Sequence, residues 1–162
     1  MIFVSIMDRD NANFQTTFQQ IRETLSSAAI PLEVPIGSGV DFKGIVNLFS
    51  MKAHLFKGGD KGNYEGIEIP EELSSSVESY REQLIEVIVA ADDELLEAYL
   101  EGEDLDPDRV LEVFGKVIRS GDVVPVFCGA GSNSWGVRTV LSKIVQLMPS
   151  PAEAAPQIVQ NA

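Results

Sequence analysis

The chain has 162 residues, 44% of them apolar, enough for one main core and a small satellite. Its single cysteine, Cys128, excludes an internal disulfide, and it lacks a run of about 18 apolar residues that would cross a membrane, so a reducing, cytoplasmic setting without membrane contact is expected. The net charge of −13 is unevenly placed: Glu71 to Glu112 carries fifteen acids against Arg81 and Arg109 and holds the whole excess, while the remainder balances ten acids with ten bases. Such a surface repels phosphate backbones and attracts basic protein surfaces, which argues against that segment docking on nucleic acid; a solvated face that only aids solubility fits equally well.

In chain order, MIFVSIMDRD is no signal peptide, because Asp8, Arg9 and Asp10 arrive after only seven residues. It reads as a buried strand that begins abruptly, so a piece cut from a longer chain is expected. Met7-Asp8-Arg9 falls at the carboxyl end of that strand, where α/β proteins bind ligands. Phe14, Phe18, Ile21 and Leu25 follow at helical spacing, with Asp10 or Asn11 as caps. Pro31 to Gly37 is extended, Gly37-Ser-Gly39 marks a turn, and Phe42 to Phe56 and Tyr64 to Ile69 favour strands around a Gly, Lys and Asp loop at Lys57 to Asn63. A small antiparallel sheet is the expectation there.

Pro70-Glu-Glu starts a helix with Val77, Tyr80, Leu84, Val87 and Ile88 on its apolar stripe. Asp92 caps a second helix that Gly102 ends, and Asp106-Pro107 opens a third. Val123 to Cys128 is a second buried strand, in which Pro125 lacks a backbone donor and points to an edge or strand-start position. A Gly129-Ala-Gly-Ser-Asn loop and a helix carrying Val137, Val140, Leu141, Ile144 and Val145 complete the pattern, and Met148-Pro-Ser-Pro151 stops it. The expected architecture is α/β and discontinuous: residues 1–30 and 121–150 form a partial parallel-sheet domain, 31–120 form an inserted α+β subdomain, and 151–162 form a linker.

Several segments in order, FVSIMDRDNANF, PLEVPIG with FKGIVNL and MKA, IPEEL, YREQLIEVIVAADDELLEAYLEGE and VVPVFCGAGSNSWGV ending at MPSP, resemble bacterial translation elongation factor G over about residues 1 to 151. The resemblance implies a partial P-loop-GTPase-like sheet. Its first strand would carry the family's guanine-specificity element, normally Asn-Lys-Met-Asp, and the loop after Cys128 the second, normally Ser-Ala. Between them it implies the subdomain called G prime, which in the family contacts the ribosomal stalk. The acidic helices fall inside it.

By position, Asp8 matches the discriminating carboxylate, which accepts hydrogen bonds from the guanine ring nitrogen and exocyclic amine. Ser5 replaces the asparagine and Ile6 the lysine, so Ile6 offers apolar contact without an ammonium and Ser5 a shorter reach than an amide. Taken alone, an Asp after a strand is more often a turn or helix-capping residue. In the second loop Ala130-Gly131 stands for Ser-Ala, and a backbone amide of Ala130, Gly131 or Ser132 is the candidate for the guanine oxygen; a tight glycine turn is the alternative. Cys128 reads as a buried strand residue. His54, the only histidine, has no partner at metal-ligand spacing, so no metal site is expected. Trp135 either braces the loop or lies exposed.

No Gly-x-x-x-x-Gly-Lys-Ser/Thr sequence is present, so neither a β,γ-phosphate cradle nor its Mg²⁺ site lies in this chain, and no residue is assigned a catalytic role. The resemblance implies an intact protein that binds GTP or GDP and promotes ribosomal translocation, of which this chain alone is inactive and holds no nucleotide tightly. A release-factor or ribosomal-protection GTPase is an alternative. So is a non-catalytic ribosome or stalk module with degenerate nucleotide specificity, which Ser5 and Ile6 favour. The expected partner is the ribosome, through the terminal domain of a stalk protein meeting the acidic segment 71–112.

Overall fold

The structure is a computed structural model that describes residues 1–58 and 62–150. The expected linker at 151–162 and the middle of the Lys57 to Asn63 loop lie outside the described residues. The fold is mixed α/β, with one parallel and one antiparallel sheet.

Three strands, β1 (Ile2–Val4), β2 (Ala29–Pro31) and β7 (Val124–Cys128), form the parallel sheet in the order β1-β7-β2. Four more, β3 (Glu33–Ile36), β4 (Gly44–Asn47), β5 (Lys52–Phe56) and β6 (Tyr64–Ile67), form an antiparallel meander in chain order. Only Leu32 separates β2 from β3. It is fully buried, its N–H donates to the Val126 carbonyl at 2.8 Å, and its own carbonyl accepts from Leu48 N–H at 3.0 Å.

Because β7 pairs with both β1 and β2, it is the central strand, so of the two positions expected from Pro125 the edge is excluded and the strand start holds, Pro125 being the second residue of β7. The reason is local. Val124 N–H donates toward β2, to Ala28 O at 2.9 Å, and Gly129 N–H donates toward β1, to Val4 O at 3.0 Å, so alternation aims the donor-less Pro125 nitrogen toward β1. The β1 ladder begins at the Ile2–Val126 pair, so Pro125 lies outside it.

Side chains alternate between two apolar clusters, as strands buried on both faces require. Ile30, Val46 and Phe127 face a cluster formed with the helices α2 (Glu71–Val89), α4 (Pro107–Ser120) and α5 (Val137–Leu147); Ala29, Ile45, Val126 and Cys128 face another formed with α1 (Phe14–Thr24). The first cluster takes residues from both sheets, so the two share one core. Helix α3 (Asp93–Glu101) adds Leu95 to it. Among the described residues no helix is long and apolar enough to cross a membrane.

Caps explain half of the helix boundaries. Asp92 Oδ1 accepts from Leu95 N–H at 3.2 Å and Asp106 Oδ1 from Asp108 N–H at 3.1 Å, while Gly102 and Gly121 end α3 and α4. Helix α1 is capped by Asn13, whose Oδ1 accepts from Thr16 N–H at 2.9 Å, rather than by Asp10 or Asn11. Those residues are taken up by a turn in which Ala12 N–H donates to Arg9 O at 3.0 Å and Asn11 has φ 65°. Pro70 sits one position earlier than expected, at the N-cap, and α2 begins at Glu71.

The turn between β4 and β5 is tied down from three sides. Asn47 Oδ1 accepts from Ser50 N–H at 2.9 Å and Phe49 N–H at 3.1 Å, Arg81 from α2 donates to the carbonyls of Leu48 and Phe49, and Phe49 stacks on Phe114 of α4 with ring centres 5.8 Å apart.

Glu33, which composition alone did not single out, is fully buried at the first position of β3, under α5. Burial pushes its carboxyl up to about 8, against the weaker opposing pull of Thr139, the Cys128 backbone and Lys143. Neither carboxyl oxygen makes a well-formed hydrogen bond among the described residues, since the Thr139 hydroxyl donates to Gly136 O at 2.7 Å. The folded protein therefore holds a proton that the unfolded chain releases at an ordinary carboxylate pKa. That contribution to stability is complete below about pH 4.5 and is lost as pH rises to about 8. Unfolding free energy from denaturant titrations is expected to fall across this window by up to about 1.4 kcal/mol per pH unit, and Glu33→Gln to flatten the slope. An unchanged slope in the variant would place the proton elsewhere.

Candidate functional site

Two loops leave the carboxyl ends of the neighbouring parallel strands β1 and β7, and Gly129 locks them together. Its N–H donates to Val4 O and its carbonyl accepts from Met7 N–H, both at 3.0 Å. A Cβ at position 129 would lie 2.3 Å from the Trp135 carbonyl and 2.9 Å from the Phe3 ring, so only glycine permits this approach.

On the first loop Met7 is buried among the side chains of the α1 cluster, which turns its neighbours outward. Ser5 and Ile6 are exposed, and Ile6 adopts φ 69°, a left-handed conformation disfavoured for a β-branched residue. Arg9 N–H donates to Ile6 O at 3.3 Å and closes the turn. Asp8 is half-buried. Its Oδ2 accepts from Asn133 Nδ2 at 3.0 Å, while its buried Oδ1 has no hydrogen-bond partner among the described residues.

The second loop is held by reciprocal bonds between Ala130 and Trp135, each N–H donating to the other's carbonyl at 3.0 Å. Inside this bridge lies a 3-10 turn, Gly131–Asn133, and Ser134 and Gly136 follow with φ 59° and 78°. Ala130 is fully buried with its amide engaged by Trp135, so it is not available to a ligand. Gly131 and Ser132 are exposed, and neither backbone N–H has an acceptor among the described residues. Of the three expected amide donors, two remain.

Trp135 braces the loop. Its indole stacks on Phe56 of β5 with centres 5.3 Å apart and planes 7° from parallel, and lies 6.1 Å from Phe42, so the antiparallel sheet buttresses the loop directly. Cys128 is fully buried behind it, with its thiol pKa pushed well up by burial and then by nearby Glu33. His54 is half-buried on β5, stacked on Tyr64 at 4.1 Å, and burial followed by Lys52 lowers its pKa. Among the described residues no group of three His, Cys, Asp or Glu side chains is placed to hold a metal ion.

The structure thus brings Asp8 together with the loop holding Gly131 and Ser132, and adds Asn133. The contact joins residues 125 apart in sequence, and no local pattern announces it. Chemically, the site sets a carboxylate, with Oδ2 anchored and Oδ1 unpaired but closed to solvent, opposite two unsatisfied backbone donors on the facing loop. Such a set suits a planar ligand with adjacent N–H donors on one edge and an acceptor on another.

No protein-family model matches the chain. The fold is similar to a crystal structure from Thermus thermophilus, with a TM-score of 0.82 and 29% sequence identity over 94% of this chain. The chain spans only 22% of the length of that protein.

The loop geometry makes two glycines behave differently. A Cβ on Gly136 would lie 2.5 Å from Cys128 O at a positive φ, whereas one on Gly131 meets nothing within 4 Å. In urea titrations Gly136→Ala is expected to cost about 2 kcal/mol or more and Gly131→Ala to stay within about 0.5 kcal/mol. Equal costs would mean that the second loop is not held as described.

Proposed function

We propose that this chain is the base-recognising part of a guanine-nucleotide-dependent translation factor of the elongation-factor-G type, joined to a protein-docking insert. The observation that carries the reading is Asp8. It stands at the carboxyl end of a parallel strand, is held through one oxygen by the neighbouring strand's loop, and keeps the other oxygen buried and unpaired. A guanine edge carries two adjacent N–H donors that a carboxylate can accept once Oδ1 turns out of its buried position, and the amides of Gly131 and Ser132 suit the base oxygen. The ordered motifs that resemble elongation factor G support the same assignment. In this reading the parallel sheet is the partial P-loop-GTPase-like sheet, and phosphate and Mg²⁺ are bound by parts of the intact protein outside this chain.

Two further features support docking by the insert. Glu78, Glu82 and Glu86 are exposed along α2, and the two bases of the acidic segment are half-buried and engaged within the chain. Arg81 is committed to the Leu48 and Phe49 carbonyls, and Arg109 to Asp92 at 2.5 Å and Glu112 at 3.1 Å. The segment therefore presents nearly uncompensated negative charge, suited to the lysine-bearing terminal domain of a ribosomal stalk protein.

A second reading, a ribosome-binding module without nucleotide specificity, is favoured by Ile6, which is 59% exposed and brings no cation to the site. Equilibrium binding of GDP and ADP to the intact protein separates the two. Guanine recognition predicts selectivity for GDP, a loss of about 100-fold for Asp8→Asn, and a relative gain for xanthosine diphosphate, whose carbonyl can accept from the new amide. Equal binding of GDP and ADP would favour the second reading, under which Ser5→Asn with Ile6→Lys should raise GDP affinity. For the insert, affinity for the stalk terminal domain is expected to fall with salt and to drop at least about tenfold when Glu78, Glu82 and Glu86 become lysine. Indifference to both changes would remove the docking proposal.

A further inference from the structure

A carboxylate that reads a base edge must be aimed before the base arrives, or the cost of ordering it is taken from affinity. Among the described residues Asp8 has one side-chain restraint, the 3.0 Å bond from Asn133 Nδ2. Asn133 is itself well placed. Its N–H donates to Ala130 O at 3.1 Å, and Ala130 is bridged to Trp135, whose indole lies flat on Phe56. Ser5, by contrast, is exposed and its hydroxyl makes no hydrogen bond among the described residues.

We propose that Asn133 is a positioning and specificity residue of the base site: its amide fixes the Asp8 carboxylate through Oδ2, supplying from the second loop the orienting amide that serine at position 5 does not supply from the first. The inference rests on the base-binding reading above. Residue chemistry favours it. A neutral amide fixes the carboxylate without cancelling its charge, whereas a lysine or arginine at position 133 would pair with Asp8 and compete with the weak N–H donors of a base. An aspartate there would repel it. Asn133 also closes the turn containing Gly131 and Ser132, so the same bond sets the distance between the carboxylate and the two unsatisfied amides. Anchor and oxygen-binding donors thus move as one unit.

The test uses the intact protein, with fluorescent GDP titrations, ADP competition and melting temperatures for Asn133→Ala, Asn133→Asp and the double variant Asn133→Ala with Ser5→Asn. Asn133→Ala is expected to weaken GDP at least about tenfold and to reduce GDP-over-ADP selectivity by a similar factor, with melting little changed because the side chain is exposed. Asn133→Asp should weaken GDP further. Asparagine at position 5 should recover part of the loss in the double variant. Three results overturn the proposal: wild-type GDP affinity and selectivity in Asn133→Ala, an equal loss for GDP and ADP accompanied by a lower melting temperature, or no recovery in the double variant. A wild-type protein that does not distinguish GDP from ADP refutes the base-binding reading itself, and the proposal with it.

Discussion

Leu32 is where the two sheets become one structure. Its amide bonds to the central strand of the parallel sheet and its carbonyl to the end of β4 in the antiparallel one, with the side chain fully buried between them. A single-residue connection leaves no slack, so the direction in which β2 leaves the parallel sheet dictates where the antiparallel sheet lies. Neither sheet has an independent core on that side, since Ile30, Val34, Val46 and Phe127 all belong to one cluster. The fully buried Leu32 side chain contributes about 2 kcal/mol through transfer alone. Its two backbone bonds must also be kept, because an unpaired buried peptide group costs as much again.

That joint positions the candidate site. With the antiparallel sheet fixed beside β7, Phe56 and Phe42 come to lie against Trp135, and the loop after β7 gains an aromatic support from a segment far earlier in the chain. The loop can then present Asn133 to Asp8, while Gly129 ties the two loops at their roots. The left-handed Ile6 belongs to the same constraint: burial of Met7 and the Arg9 to Ile6 bond force the backbone between them into a conformation that the side chain itself disfavours.

Charge is organised by the same economy of contacts. The acidic segment looks partly balanced in composition by Arg81 and Arg109, yet Arg81 points inward to the β4–β5 turn and Arg109 is shared between Asp92 and Glu112. One cation therefore serves the fold, and the other already has its acids. Glu33 shows the opposite case, a carboxyl placed where the core cannot solvate its charge, so that burial decides its protonation.

Much of this was legible in the residues themselves. Alternation, apolar stripes and Asp-Pro or Gly punctuation located the helices from Glu71 onward and the antiparallel sheet, because caps and periodicity act over a few residues. Asp8 and the Gly131-Ser132 turn were visible as loop chemistry after apolar strands. What sequence could not decide were the relations across the chain: that Pro125 lies in a central strand, that the Ala130 amide is consumed by Trp135, that Glu33 is entombed, and that Asn133 reaches Asp8. Local propensity determines which residues turn, extend or coil. Strand order and burial are set by which surfaces meet, and only the assembled structure decides which polar groups are left free for a ligand.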